Sequence, residues 1–361
     1  MLRVGKIDTT YLSFDIVYCV KRGNLMNEMV MWGGIVLAVL ITAGAAFVFL
    51  INRIMKLGFI KKLGRRSLRI LVSIAIVLVG ILICSVCLSA INAIIVLLHV
   101  IIFWAICDFV AFIISKISSK TISRALTASI SLILTVSYLC VCYYLVDHVW
   151  ETSYSLKSSK NLGNLKVVQF ADSHMGTTFS GEEFGQYIDM INSVQPDVVL
   201  ITGDFVDDNS GLKDMQDACK ALSKLETKYG VYYSFGNHDK GYGDNSSRGY
   251  TGNDLIAELE ANGVVVLQDE AVLIDNRFYI VGRQDKSEEG RGGRASAEEL
   301  MAGLDTDKYV IFMDHQPNDY DNESKAGADL VLSGHTHGGQ LIPVTEVGVW
   351  IGANDKTYGY E

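Results

Sequence analysis

Proline is almost absent from this chain of 361 residues, with 3 in all. Together with the lack of any low-complexity tract, that excludes a fibrous or linker-rich protein. Cysteine is unevenly scarce. Six of the 7 cysteines lie at or before Cys142, and Cys219 alone follows. The C-terminal half can therefore form no internal disulfide, and no thiolate zinc cluster can be built there. Charge is missing from three long stretches. Glu28 and Arg53 bracket 24 uncharged residues, Arg69 and Asp108 bracket 38, and Arg124 and Asp147 bracket 22.

What charge there is divides the chain. Residues 1–151 carry 14 Lys/Arg against 6 Asp/Glu, a net of +8; residues 152–361 carry 17 against 34, a net of −17. One evenly mixed domain would not divide so, and the length suits about two units. The 50% apolar content excludes a disordered chain. The acidic half repels phosphate backbones, so no nucleic-acid partner is expected.

The uncharged stretches match the roughly 20 apolar residues that cross a bilayer as helix. The middle one, apolar to Ser115 except for Asp108, is about twice too long and must fold back, most readily at Ser89-Ala90-Ile91-Asn92. Four transmembrane spans are predicted, at 30–51, 69–89, 93–115 and 125–146, within a membrane region 29–147. An N-terminal tail 1–28 precedes it and a polar linker 148–164 follows. A soluble bundle would need polar helix faces, and Ile70–Ile83 has none. Asp108 reads as a helix-end acid facing other helices.

The loops set an orientation. Arg53, Lys56, Lys61, Lys62, Arg65, Arg66 and Arg69 fall in one connection, and Lys116, Lys120 and Arg124 in another, with no acid in either. Both belong on the cytoplasmic side. A multi-pass cell-membrane protein with everything after Asp147 outside the cytoplasm is expected. Arg3, Lys6, Lys21 and Arg22 in the tail pull the other way, unless translation starts at Met26 or Met29.

After residue 164, short apolar runs alternate with amphipathic ones. Strands are expected at 165–171, 197–202, 231–235, 264–267, 271–274, 278–281, 309–313 and 329–332, and helices at 182–194, 215–229 and 255–261. This is an α/β pattern. In such sheets functional groups gather beyond the strand C-termini. Five strands here run into Asp172-Ser-His174, Gly203-Asp204-Phe-Val-Asp207, Gly236-Asn237-His238-Asp239, Asp314-His315 and Gly334-His335-Thr-His337-Gly338-Gly339-Gln340. Five of the 7 histidines are in this set. Carboxylate, imidazole and amide oxygen together suit borderline divalent metals such as Mn, Fe or Zn. A carboxylate between two cations sets them about 3.5–4 Å apart, where they activate a water and neutralise phosphoryl charge.

In that order, these five motifs resemble the calcineurin-like metallophosphoesterases, from Leu165 to the end of the chain. Gly-His-Thr-His-Gly-Gly-Gln resembles the bacterial membrane- or wall-associated branch, which includes enzymes similar to UDP-diacylglucosamine pyrophosphohydrolases. The resemblance implies a four-layer α/β/β/α sandwich over 165–361. It implies two divalent ions, one held by Asp172, His174 and His337 and the other by Asn237, His315 and His335, with Asp204 bridging. It implies that His238 donates to the phosphoryl or leaving oxygen, oriented by an acid such as Asp207 or Asp239. The function implied is hydrolysis of a phosphate ester or pyrophosphate, on a small phosphorylated molecule or a lipid- or wall-linked substrate. The alternative is a catalytically inactive metal-binding sensor or scaffold. Arg283 and Asp285 could face substrate or solvent, and Arg291 and Arg294, among glycines, could form a basic lid or an ordinary loop. Family members continue through further strands beyond the 24 residues left after His337, so a shortened C-terminus is expected, with Val347–Ile351 as the start of a strand.

Overall fold

The computed structural model describes residue 37 and residues 41–241, 248–291, 293–339 and 345–359. The tail 1–28, residues 30–36 and 38–40 of the first expected span, Gly292 and Gln340 lie outside the described residues. The chain divides into two compact units between Glu151 and Thr152.

In the first unit, α1 (Ile41–Ile54) and α2 (Gly58–Lys61) precede α3 (Arg66–Cys87), α4 (Ala90–Ser118) and α5 (Arg124–Asp147). Among the described residues, three helices are long and apolar enough to cross a membrane, over Arg66–Cys87, Asn92–Ser118 and Arg124–Leu145. Only 11–17% of each apolar window is buried, so the apolar surface faces outward. A soluble bundle does the reverse. The chain turns back at Leu88–Ser89, where the Ser89 hydroxyl accepts from the Asn92 amide at 3.1 Å and caps α4. Ser123 caps α5 in the same way through Leu126. Asp108 sits within α4, not at its end, and its carboxylate lies 2.8 Å from Arg53 Nε of α1. Pairing with that guanidinium is what makes an acid tolerable at this depth in an apolar helix.

The second unit holds two four-stranded sheets. The first is parallel throughout, in the order β1 (Val167–Phe170), β2 (Val198–Thr202), β3 (Val231–Ser234), β4 (Val264–Val266). The second joins β5 (Glu270–Ile274) antiparallel to β6 (Phe278–Gly282), then β7 (Tyr309–Met313) and β8 (Leu330–Leu332) in parallel. Strand alternation divides the core. Val199, Ile201 and Tyr233 pack against Ile188 of α6 (Gly181–Val194), Met215 and Cys219 of α7 (Leu212–Leu222) and Leu255 of α8 (Gly252–Ala261). Their neighbours Val198, Leu200 and Tyr232 meet Ile280, Ile311 and Met313 of the second sheet. The far side of that sheet, Val281, Val310 and Phe312, is covered by Ala297 and Met301 of α9 (Ala297–Met301). The remaining helices described are α10 (Tyr320–Ala326) and α11 (Val347–Trp350).

Two elements differ from expectation. Helix α7 stops at Leu222, seven residues before the apolar pattern ends. The amides of Lys228 and Tyr229 instead bond the Asp197 carbonyl at 3.0 and 2.8 Å, which steers the chain into β3. Val347–Trp350 is helical, not a strand. The Trp350 and Ile351 amides bond back to Glu346 and Val347 rather than to a neighbouring strand.

Candidate metal centre

Parallel strands bring their C-terminal ends to one edge, and β1, β2, β3, β7 and β8 each release a site residue there. The backbone bends sharply as it leaves them. Asp172, His174, Asp204, His335 and His337 all take left-handed conformations, with φ between 41° and 72°. Non-glycine residues adopt these only when the surroundings enforce it. Neighbouring glycines are equally constrained. A Cβ on Gly236 would stand 2.3 Å from Asp204 Oδ1, and one on Gly334 2.7 Å from Asp172 Oδ2.

The ligand-type side chains fall into two groups. Asp172, His174 and His337 bring one donor atom each within 4.8 Å of the others, and so do Asp204, His315 and His335. In the first group the Nε2 atoms of His174 and His337 face each other at 3.2 Å, with Asp172 Oδ1 3.7 Å from His337 Nε2. In the second, His315 Nε2 is 3.1 Å from Asp204 Oδ2. That same oxygen is 3.7 Å from His174 Nε2, so Asp204 faces both groups. Asn237 Oδ1 lies 2.8 Å from His335 Nδ1 and adds an amide oxygen to the second group. Converging imidazole and carboxylate atoms, with glycine wherever a side chain would intrude, fit a pair of divalent cations.

Burial favours ligation at two of the rings. Burial lowers the pKa of His174 and of His335 below the ordinary imidazole value, which keeps their lone pairs available. Burial alone would lower His315 too. The hydrogen bond and charge of Asp204, with the charge of Asp172, outweigh it and hold His315 up at about 10. Asp204 is pushed upward by burial but ends near 2, because His315 stabilises its ionised form. The His315 ring is oriented from behind by a 2.8 Å contact between Nδ1 and the Thr202 carbonyl.

The three acids near His238 separate. His238 Nδ1 is 2.6 Å from Asp208 Oδ2 and 4.0 Å from Asp207 Oδ2. Asp207 turns instead to His174 Nδ1, at 3.0 Å. Asp239 is fully buried and accepts from the amides of Asp204, Gly236 and Val206 at 2.8, 2.7 and 3.1 Å. Burial and the Asp204 charge raise its pKa to about 6. Neither acid expected to orient His238 makes that contact. Asp239 is consumed by backbone donors and Asp207 by another ring. Asp208 was missed, although it is the next acid in the same run.

Arg283 and Arg294 form neither a substrate-facing edge nor a mobile lid. Arg283 is buried 3.2 Å from Asp314, 2.7 Å from Asp319 and 3.3 Å from Glu323. Arg294 is buried against Asp314 and 2.8 Å from Glu289. Asp285 is buried as well and accepts from the Gln316 amide at 3.0 Å. The Arg291 side chain lies outside the described residues.

Comparisons with known proteins agree with this arrangement. Residues 165–339 match the model of the calcineurin-like phosphoesterase family. An uncharacterized metallophosphoesterase of Aquifex aeolicus is 33% identical over 180 residues, covering 49% of this chain and 65% of that protein. One of Campylobacter jejuni is 30% identical, covering 65% and 62%. A transmembrane protein with metallophosphoesterase domain from Danio rerio is 28% identical, covering 52% and 44%. The chain thus spans less than two thirds of the length of these relatives. Calcineurin-like phosphoesterases use two divalent metal ions, in keeping with the two ligand groups. Residues 165–339, with their ligand-bearing strand ends, match the calcineurin-like phosphoesterase domain, in a chain whose described residues also include three membrane-length apolar helices.

Proposed function

We propose that the protein is a membrane-anchored dimetal phosphoesterase that hydrolyses a phosphate ester or pyrophosphate. The observation that carries this reading is Asp204, whose Oδ2 faces His315 at 3.1 Å and His174 at 3.7 Å. In this reading Asp172, His174 and His337 hold one ion, and Asn237, His315 and His335 the other, with Asp204 shared. Manganese, iron and zinc all suit this donor set. The ions supply Lewis acidity, lowering the pKa of water and offsetting phosphoryl charge. His238 sits beside the pair through its amide, which donates to Asp204 Oδ1 at 2.8 Å. Its Nε2 carries the proton given to the leaving oxygen, while Asp208 holds Nδ1 and fixes the ring.

The domain is read as a four-layer sandwich, since each sheet is covered by helices on one face and by the other sheet on the other. The anchor is read as four spans, with α1 completing the first. The acid-free basic loops put both connections in the cytoplasm and the catalytic unit outside. An extracytoplasmic phosphoesterase on a multi-pass anchor meets lipid- and wall-linked phosphates, and these are the proposed substrates.

The full chain, purified in detergent and loaded with Mn²⁺, should release p-nitrophenol from p-nitrophenyl phosphate or its bis ester, and chelation should stop it. A folded, metal-loaded preparation that leaves both esters and pyrophosphate intact, beside an active control, would refute the reading.

A further inference from the structure

We propose that one end of the membrane unit is a binding surface for anionic phospholipid headgroups. Helix α3 joins α4 through Leu88–Ser89 alone, and five residues, 119–123, join α4 to α5. Such short connections make packed neighbours antiparallel. The start of α3, the end of α4 and the start of α5 therefore share one end. Lys61, Lys62, Arg65 and Arg66 stand there, exposed, around α2, with Lys116 and Lys120, also exposed, on the adjoining connection. No acid lies nearby in sequence except Asp108, which Arg53 holds at 2.8 Å. Among the described residues, none of these six cations forms an ion pair with a carboxylate. The opposite turn, Leu88–Ser89, carries no charge at all.

Like charges gathered without counterions repel one another. An external anion relieves that repulsion. What distinguishes a lipid from a soluble anion is the apolar surface set among the cations. Phe59 of α2 is 61% exposed and Ile117 82% exposed. A nucleotide or nucleic acid would leave both in water. A phospholipid leaflet offers phosphates to the cations and acyl chains to Phe59 and Ile117 in one surface. The orienting effect of such loops acts once, at insertion; the surface proposed here binds for the life of the folded protein.

The inference rests on the membrane reading above. The test uses the full chain in phosphatidylcholine nanodiscs, with trace spin-labelled phosphatidylglycerol or phosphatidylcholine, and reads the fraction of label held at the protein. Phosphatidylglycerol should be enriched several-fold at low salt. The excess should collapse at 1 M salt, where the screening length falls to about 3 Å. The variant Lys61→Gln/Lys62→Gln/Arg65→Gln/Arg66→Gln should lose that several-fold preference at low salt. Arg65→Lys/Arg66→Lys should keep it, and ester hydrolysis should be unchanged in both. Equal retention of the two lipids by the wild type, or a preference that survives high salt or the quadruple change, overturns the proposal. Should the quadruple variant not fold, the wild-type salt titration decides alone. Failure of the wild type to enter the discs overturns the membrane reading too; entry without preference overturns this inference alone.

Discussion

Asp207, Asp208 and Asp239 lie within one short stretch of space, yet their replacement by asparagine should produce three different defects. In Asp208→Asn the His238 ring loses its 2.6 Å carboxylate contact. A hydrogen bond to a charged group contributes about 1.5–3 kcal/mol. Both side chains are 31% exposed, so solvent screens the pair and about 1–2 kcal/mol is the fair figure. That corresponds to a fall in kcat of about 5- to 30-fold, with KM and metal content little changed. In Asp207→Asn the loss is at His174, 3.0 Å away. Removing the partner that orients a ligating histidine costs about 10- to 100-fold in metal affinity or activity. Titration calorimetry should show weakened metal binding, and excess metal should restore kcat. In Asp239→Asn the amide oxygen can keep the two amides that share one carboxylate oxygen, but its NH₂ then faces the Val206 N–H. One unsatisfied buried donor costs about 1–3 kcal/mol. At roughly 2–4 °C per kcal/mol for a domain of this size, Tm should fall by about 2–12 °C. A full kcat in Asp208→Asn, or identical metal loss in all three variants, would refute this division of roles.

Other perturbations have defined signs. Gly236→Ala puts a Cβ 2.3 Å from Asp204 Oδ1 and should cost about 1–3 kcal/mol with loss of metal, whereas Gly185→Ala, in open space on α6, should raise stability by up to about 1 kcal/mol; thermal melts with calorimetry separate them. Arg283→Met takes one of two guanidiniums from buried Asp314, which keeps Arg294, and should destabilise by about 1–3 kcal/mol in denaturant titration. Burial and the Asp314 charge raise Glu323 to about 9. The folded state then holds a proton that the unfolded state has released, so Glu323 lowers stability progressively as pH rises from its ordinary value toward 9. Glu323→Gln should remove that slope, and parallel melts from pH 5 to 9 would show no divergence from wild type if the reasoning fails.

The edge that carries the site was legible because parallel strands are short apolar runs with a fixed direction. Whatever follows each run must emerge on the same side. The three apolar helices were legible from missing charge alone. The partner of His238 was not. Asp207 and Asp208 are adjacent, and which one reaches the ring depends on the turn in which the Asn209 amide bonds Asp207 Oδ1 at 3.1 Å. Arg283 and Arg294 misled for a related reason. In sequence they border a glycine-rich, polar segment that reads as solvated, and their buried carboxylate partners come from residues 314–323. The end of α7 was hidden because Leu225 and Tyr229 continue the apolar spacing while packing from non-helical backbone.

The left-handed backbone at Asp172, His174, Asp204, His335 and His337 also bears on engineering. Each such position costs about 1–2 kcal/mol for a residue with a Cβ. Selection of this protein for heat resistance alone should therefore accept glycine first at His337, the exposed member of the five, gaining stability while dismantling the cluster. A library sorted by melting temperature would drift away from catalysis, and only a screen that scores turnover together with stability would keep these residues in place.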